Sequence, residues 1–188
     1  CFGEWGGSAV EDVCGVCGGD TEFEDECDFA LSFNGNTNVS FLHNFFNYPI
    51  EYSFTLYANF SSQVFQYDQY VFIHHSDGGE LHLSTKNGNL LSSTKLTDQE
   101  WYIVELPIPD TTNWHFIAVS FSLSSNNYIL QLDDDIASIS LPANTTLWDW
   151  SWKPTFGTDN FIGELNNVGV WDRALSYQEM NQYMSFNP

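Results

Sequence analysis

The sequence predicts an all-β chain, a sandwich or barrel of short antiparallel strands, on three observations. Of its 188 residues, 43% are hydrophobic and 17% aromatic, enough apolar material for one sizeable core. The apolar stretches favour Phe, Tyr, Val and Ile over Ala and Leu, side chains that suit a pleated surface better than a helix. From residue 29 onward these stretches are short and separated by clusters of Asn, Ser, Asp and Gly, the punctuation of successive turns.

The first 28 residues read as a separate element. Cys1, Cys14, Cys17 and Cys27 all lie there, and residues 29–188, read as one sandwich domain, carry no cysteine. An even, local count in a stretch with little apolar surface implies two disulfides formed in an oxidising compartment. Three pairings are open, and a Cys14–Cys17 bridge is the least comfortable over so short a loop. Zinc at Cys14-Gly-Val-Cys17 is the rival reading, but a zinc ribbon or knuckle needs a second such pair or a nearby His, and this head has neither. Gly6, Gly7, Gly15, Gly18 and Gly19 suit tight turns around crosslinks. A chain that opens on Cys1, inside such a framework, reads as a mature or excised piece of a longer, secreted precursor. Nine of the 25 acidic residues fall within residues 1–28, and Glu22, Glu24, Asp25 and Glu26 read as a solvated linker, with weak calcium affinity as the alternative.

In the body, strands are expected at 29–33, 51–60, 69–74, 101–106, 114–122 and 127–133. Within the second of these, Tyr52, Phe54, Leu56, Ala58 and Phe60 alternate with Glu51, Ser53, Thr55, Tyr57 and Asn59, which predicts one core face and one largely polar face. Asp133, Asp134 and Asp135 sit between the alternating runs 128–132 and 136–141, and the simplest reading is a hairpin turn. Calcium is the other reading of this triplet, but the ion takes six to eight oxygens and three adjacent carboxylates do not supply them. One helix is expected over 175–184, because Ser176-Tyr-Gln-Glu179 is a capping box in which hydroxyl and carboxylate each satisfy an orphan backbone N–H.

Two stretches carry family resemblances. Cys1 to Asp20, ending Cys14-Gly-Val-Cys17-Gly-Gly-Asp20, resembles one unit of the tandem "CGVCGGD" repeats of large secreted proteins, and a similar string occurs in secreted matrix metalloproteases. That resemblance implies an extracellular stalk or spacer. Ala30-Leu-Ser-Phe-Asn-Gly35, Ser53-Phe-Thr-Leu, Trp114-His-Phe-Ile-Ala-Val, Leu130-Gln-Leu-Asp-Asp and the long run from Phe161 to Ser176 resemble, in order, the motifs of laminin-G-like, concanavalin-A-like jelly rolls. This implies a two-sheet antiparallel jelly-roll sandwich over about 29–184, from a family that binds glycans, proteins or its own neighbours. Two departures matter. Asp134-Asp135 stands where the family has Asp-Gly, and Asn166 and Asn167 replace its late acidic pair. Both argue against a calcium site like that of laminin G or pentraxin relatives, since neutral amides hold the ion poorly.

Charge narrows the partners. Against 25 acidic residues stand only Lys86, Lys95, Lys153 and Arg173, a formal net charge of -21. Nucleic acid, which needs a basic surface, is excluded as a partner, and an anionic membrane would repel the chain. No apolar run approaches the roughly 20 residues of a membrane span. The acidic balance fits solubility and cation binding alike.

Little points to catalysis. Jelly-roll hydrolases hold two carboxylates about 5 to 9 Å apart across a cleft, and their alternating Glu-x-Asp-x-x-Glu string is missing here. His74, His75, His82 and His115 lack a partner motif and read as strand residues satisfied by neighbours. Asn38-Val-Ser40, Asn59-Phe-Ser61 and Asn144-Thr-Thr146 are glycosylation sequons, with Asn59 favoured because alternation places it opposite the core face. Trp148, Trp150 and Trp152 alternate with Asp149, Ser151 and Lys153, so an extended strand puts three indoles on one face. That row is either a core stripe or a platform for sugars or a neighbouring subunit. The expected function is therefore a non-catalytic extracellular or cell-surface module, adhesive or structural, whose partners are copies of itself or other extracellular proteins. A carbohydrate-binding module is the alternative, and a glycoside hydrolase ranks third. No cofactor is expected beyond the calcium candidates.

Overall fold

The computed structural model describes residues 30–40, 50–75, 80–143, 145–146, 154–158 and 160–185. The cysteine head, Asn144 and the Trp148–Trp150–Trp152 row lie outside the described residues. Twelve strands and one α-helix are described: β1 (Leu31–Asn34), β2 (Val39–Ser40), β3 (Glu51–Phe60), β4 (Gln69–His75), β5 (Glu80–Lys86), β6 (Asn89–Lys95), β7 (Trp101–Pro107), β8 (Trp114–Ser122), β9 (Asn127–Leu132), β10 (Asp135–Ser140), β11 (Thr155–Thr158), β12 (Ile162–Trp171) and α1 (Tyr177–Met184). They form two six-stranded antiparallel sheets, β1-β12-β3-β8-β9-β10 and β2-β11-β4-β5-β6-β7.

The core is what the alternation predicts. Tyr52, Phe54, Leu56 and Phe60 of β3 point between the sheets and meet Phe72, Leu81, Leu83 and Phe156 of the second sheet. Phe54 and Phe72 pack with ring centroids 5.1 Å apart, and Phe72 meets Phe156 at 4.8 Å. Each such ring contributes about 1.5–3 kcal/mol by leaving water. A polar contact between the sheets lies inside this core, Ser92 Oγ to Tyr128 Oη at 2.6 Å, so two hydroxyls satisfy each other where no water reaches. Gly157 of β11 has φ +73 and a Cβ there would lie 1.9 Å from the buried Phe33 ring, so only glycine fits.

Four differences from the sequence reading have clear causes. Strands β2, β5, β6, β11 and β12 are not among the expected strands. The hairpin β5–β6 carries the strongest short-range hairpin signal, Asn87-Gly88 with φ of 51 and 79, closing the pair Lys86–Asn89. Strand β9 ends at Leu132, and Leu132 pairs with Asp135, so the turn is Asp133-Asp134 and Asp135 already belongs to β10. Asp133 takes φ 52, a left-handed conformation that Asp tolerates better than most side chains.

The helix begins at Tyr177, with Ser176 as its N-cap. The expected box is present: Ser176 Oγ accepts from Glu179 N–H, and the Glu179 carboxylate accepts from Ser176 N–H. The second face of β3 is largely polar in composition, as expected, yet most of it is out of solvent. Ser53, Thr55 and Tyr57 are buried, because α1 and the segment leading to it lie over the outer face of the first sheet. There Tyr57, Phe116, Ala118, Leu175 and Met180 form a second apolar cluster. Leu175 N–H donates to Ser53 Oγ at 2.8 Å and Ser120 Oγ donates to Leu175 O at 2.8 Å, which converts two small polar strand residues into anchors for the incoming chain.

Candidate functional site

The outer face of the second sheet is built differently. In register across it run Thr155, Ile73, His82, Ser93 and Ile103, and beside them Thr158, Tyr70, Ser84 and Leu91. Small residues stand at the centre, Ser84 on β5 and Ser93 on β6, while rings rise around them. His82 meets Tyr70 edge-on at 5.1 Å and Trp101 at 5.4 Å, so three aromatic groups from β4, β5 and β7 form a continuous wall. The result is a cleft of about 420 Å³ whose lining includes Asp68, Tyr70, Glu80, His82, Ser93 and Trp101.

Trp101 is 42% exposed and Ile103 47% exposed, at the edge strand of the sheet. Polar groups converge beside them. His82 Nε2 lies 3.0 Å from Glu80 Oε2, and Lys86 Nζ lies 3.6 Å from Asp68 Oδ2. A wall of rings over a floor of hydroxyls, with two carboxylates at the rim, can cover an apolar ligand face while accepting hydrogen bonds from its edge.

A second constellation ties the sandwich together at one end. His115 is 3% exposed; its Nδ1 lies 2.7 Å from Asp133 Oδ2 and its Nε2 lies 3.1 Å from the backbone oxygen of Asp110. Both partners are acceptors, so only the doubly protonated imidazolium satisfies both bonds. The hydrogen bond to Asp133 is the main cause that raises the His115 pKa, opposed by burial. Asp133 Oδ1 also accepts from Phe116 N–H at 2.8 Å. The Asp110 carboxyl is held far below its ordinary range by N–H and side-chain donors of Thr112 and Asn113.

Of the residues singled out by sequence, the structure brings Asp133 to His115, and leaves Asp134 and Asp135 exposed in the turn and at the start of β10. Among the described residues no three His, Cys, Asp or Glu side chains converge as a metal site. Asn38 is exposed between β1 and β2. Asn59 does face away from the core, but it is half-buried in β3, between Glu164 and Trp114 on the flanking strands. His74 is buried, and His82 lines the cleft. Tyr70, Trp101, Asp68 and Glu80 were not singled out. Tyr70, Glu80 and Trp101 are each unremarkable in their own strands and Asp68 in the residue before β4; cross-strand register makes them neighbours.

No family model matches the chain, and no curated protein matches it by sequence. Solved structures do. A structure described as "Botulinum neurotoxin serotype D binding domain" superposes with a TM-score of 0.69 at 15% identity, covering 85% of this chain and 42% of the other. The laminin α1 chain of mouse, domains LG4-5, gives 0.62 at 13% identity over 79% of this chain and 44% of the other. The binding domain of Botulinum Neurotoxin DC in complex with SialylT gives 0.68 at 13% identity, covering 86% and 43%. The chain thus spans less than half of each of these chains. The likeness shows the fold: a laminin-G-like jelly roll of two antiparallel sheets.

Proposed function

We propose that this chain is a non-catalytic extracellular binding module, and that it binds a saccharide on the outer face of its second sheet. The observation that carries this reading is the cleft of Tyr70, His82 and Trp101 over Ser84 and Ser93, with Trp101 partly exposed at its edge. An exposed indole costs solubility and contributes nothing to a core, and beside hydroxyls and carboxylates it offers what a pyranose needs, an apolar plate with polar groups at its edge. Two of the superposed solved structures are binding domains of a toxin, one of them holding SialylT, and the laminin α1 pair of domains shares the sandwich; these support the reading. Both lining carboxylates have close cationic or imidazole partners, which suits acceptors of hydrogen bonds better than a proton-exchanging acid and base.

A second reading is the adhesive or structural one, in which the ligand is a neighbouring copy within a larger secreted assembly. It is favoured by the position of Trp101 and Ile103 on β7, an edge strand, where unpaired backbone and exposed apolar side chains are a template for association. Secretion, two disulfides among Cys1, Cys14, Cys17 and Cys27, and glycan at a sequon belong to both readings.

The test is a glycan array of the purified chain together with its sedimentation behaviour. Saturable glycan binding that Trp101→Ala abolishes, in a monomer, supports the saccharide reading. Concentration-dependent polymers that Trp101→Ala dissolves, with no glycan bound, replace it with the assembly reading.

A further inference from the structure

We infer that the saccharide taken by this cleft carries no anionic group, so that it is a neutral or amino sugar and not a sialylated, uronic or sulfated one. The inference rests on the saccharide reading above and adds the ligand's charge class. Its basis is the set of polar groups at the rim. Glu80 and Asp68 are acceptors only, and a ligand edge facing them must donate, through hydroxyl or ammonium. A carboxylate or sulfate placed there meets two like charges, inside a cleft whose low-dielectric walls of Tyr70 and Trp101 strengthen the repulsion.

The cations on this face do not reverse that sign. Lys86 is the one Lys or Arg among the lining residues, and its Nζ already lies 3.6 Å from Asp68. Lys95 pairs with Trp101 on the same face, beyond the lining, and Glu105, four residues further along β7, offsets it. Among the described residues of this face, the carboxylates Asp68, Glu80 and Glu105 outnumber the ammonium groups Lys86 and Lys95. The rest of the chain adds to it: the whole molecule carries -21, so an anionic glycan is repelled at long range as well as in the cleft. Selectivity here comes from rejection, with the aromatic wall supplying affinity to any sugar and the carboxylates deciding which sugars keep it.

The experiment is a titration of the full chain at pH 7.5 with oligosaccharides that share a core, in three series: unmodified, bearing amino groups, and bearing carboxylate or sulfate. At least one unmodified or amino series is expected to bind, and adding an anionic group to the same core is expected to weaken it by about tenfold or more. Trp101→Ala is expected to remove binding in every series, and Ile103→Ser to weaken it, with unchanged thermal unfolding; Tyr177→Ala, on α1, leaves binding alone. Glu80→Gln and Asp68→Asn together are expected to narrow the discrimination while retaining the bound core sugar. A preference for the anionic series overturns this inference and leaves the saccharide reading standing. Binding that survives both Trp101→Ala and Ile103→Ser displaces the site from the cleft and overturns the inference with it. If no saccharide of any series binds, both fall.

Discussion

The outer face of the first sheet lies beneath α1, where Tyr57, Phe116, Ala118, Leu175 and Met180 make an apolar cluster of their own, whereas the outer face of the second sheet leaves Trp101 and Ile103 in solvent around a cleft. Both faces are antiparallel pleats from one chain, and both carry aromatic and small polar residues. The closed face spends its Ser and Thr hydroxyls internally, as in the Ser53 and Ser120 bonds to Leu175. The open face leaves Ser84 and Ser93 on the floor of a cavity. What lies over the face, a helix on one side and an open cleft on the other, separates a structural polar group from one that a ligand can meet.

The sharpest way to break this comparison is to truncate one aromatic on each face. Phe116→Ala, beneath the helix, is expected to destabilise the fold by about 3–5 kcal/mol, from lost transfer energy and the cavity left behind. Trp101→Ala is expected to cost under about 1 kcal/mol, because its surroundings are already wet. Urea unfolding of the two variants decides it; equal losses mean that the second face is core too.

The fastening of the closed side sharpens the contrast further. Gln131, buried on β9, donates to Asp133 O and to Asn181 Oδ1 of α1, both at 2.8 Å, so the helix, the hairpin turn and His115 belong to one hydrogen-bonded group. His115→Gln is expected to cost on the order of 2 kcal/mol near pH 5, where the imidazolium makes both of its bonds. Since folding raises the His115 pKa, its protonation contributes stability that is fully present below the unfolded value of about 6.5 and is lost as pH rises through the folded value. The gap between wild type and His115→Gln in urea midpoint should therefore shrink from pH 5 toward pH 9. A gap that widens instead contradicts the imidazolium assignment.

Smaller again is the helix cap. Ser176→Ala removes the acceptor for Glu179 N–H and is expected to cost about 1 kcal/mol, read as faster hydrogen exchange in the first turn of α1. Arg173, 2.7 Å from Glu179, helps hold that carboxyl down at about 2, but the pair is exposed, and Arg173→Met is expected to shift the thermal midpoint less than Ser176→Ala does in physiological salt.

Local signals were legible wherever a local cause sufficed. The ten-residue alternation of β3, the Asp turn after Leu132 and the Ser176–Glu179 box each act within a few residues, and each is found at or within a residue or two of its expected place. The Asn87-Gly88 turn is an equally local signal, set between runs rich in Ser and Thr that look polar. In β5 Leu81 and Leu83 face the core while Ser84 faces out, but in β6 Leu91 lines the cleft and Ser92 faces the core, so polarity does not follow the pleat there.

The sequence by itself determined that strands would form, where several of them turn, and that each would have an inward and an outward side, because a pleat repeats every two residues and a cap closes within one turn. Only the tertiary structure decided what covers each outward side. Tyr70, His82 and Trp101 stand up to 31 residues apart and become neighbours through antiparallel register alone, while Tyr57 is removed from solvent by a helix that follows it by 120 residues. Periodicity divides a strand into two faces and carries no information about which of them a distant segment will come to lie upon.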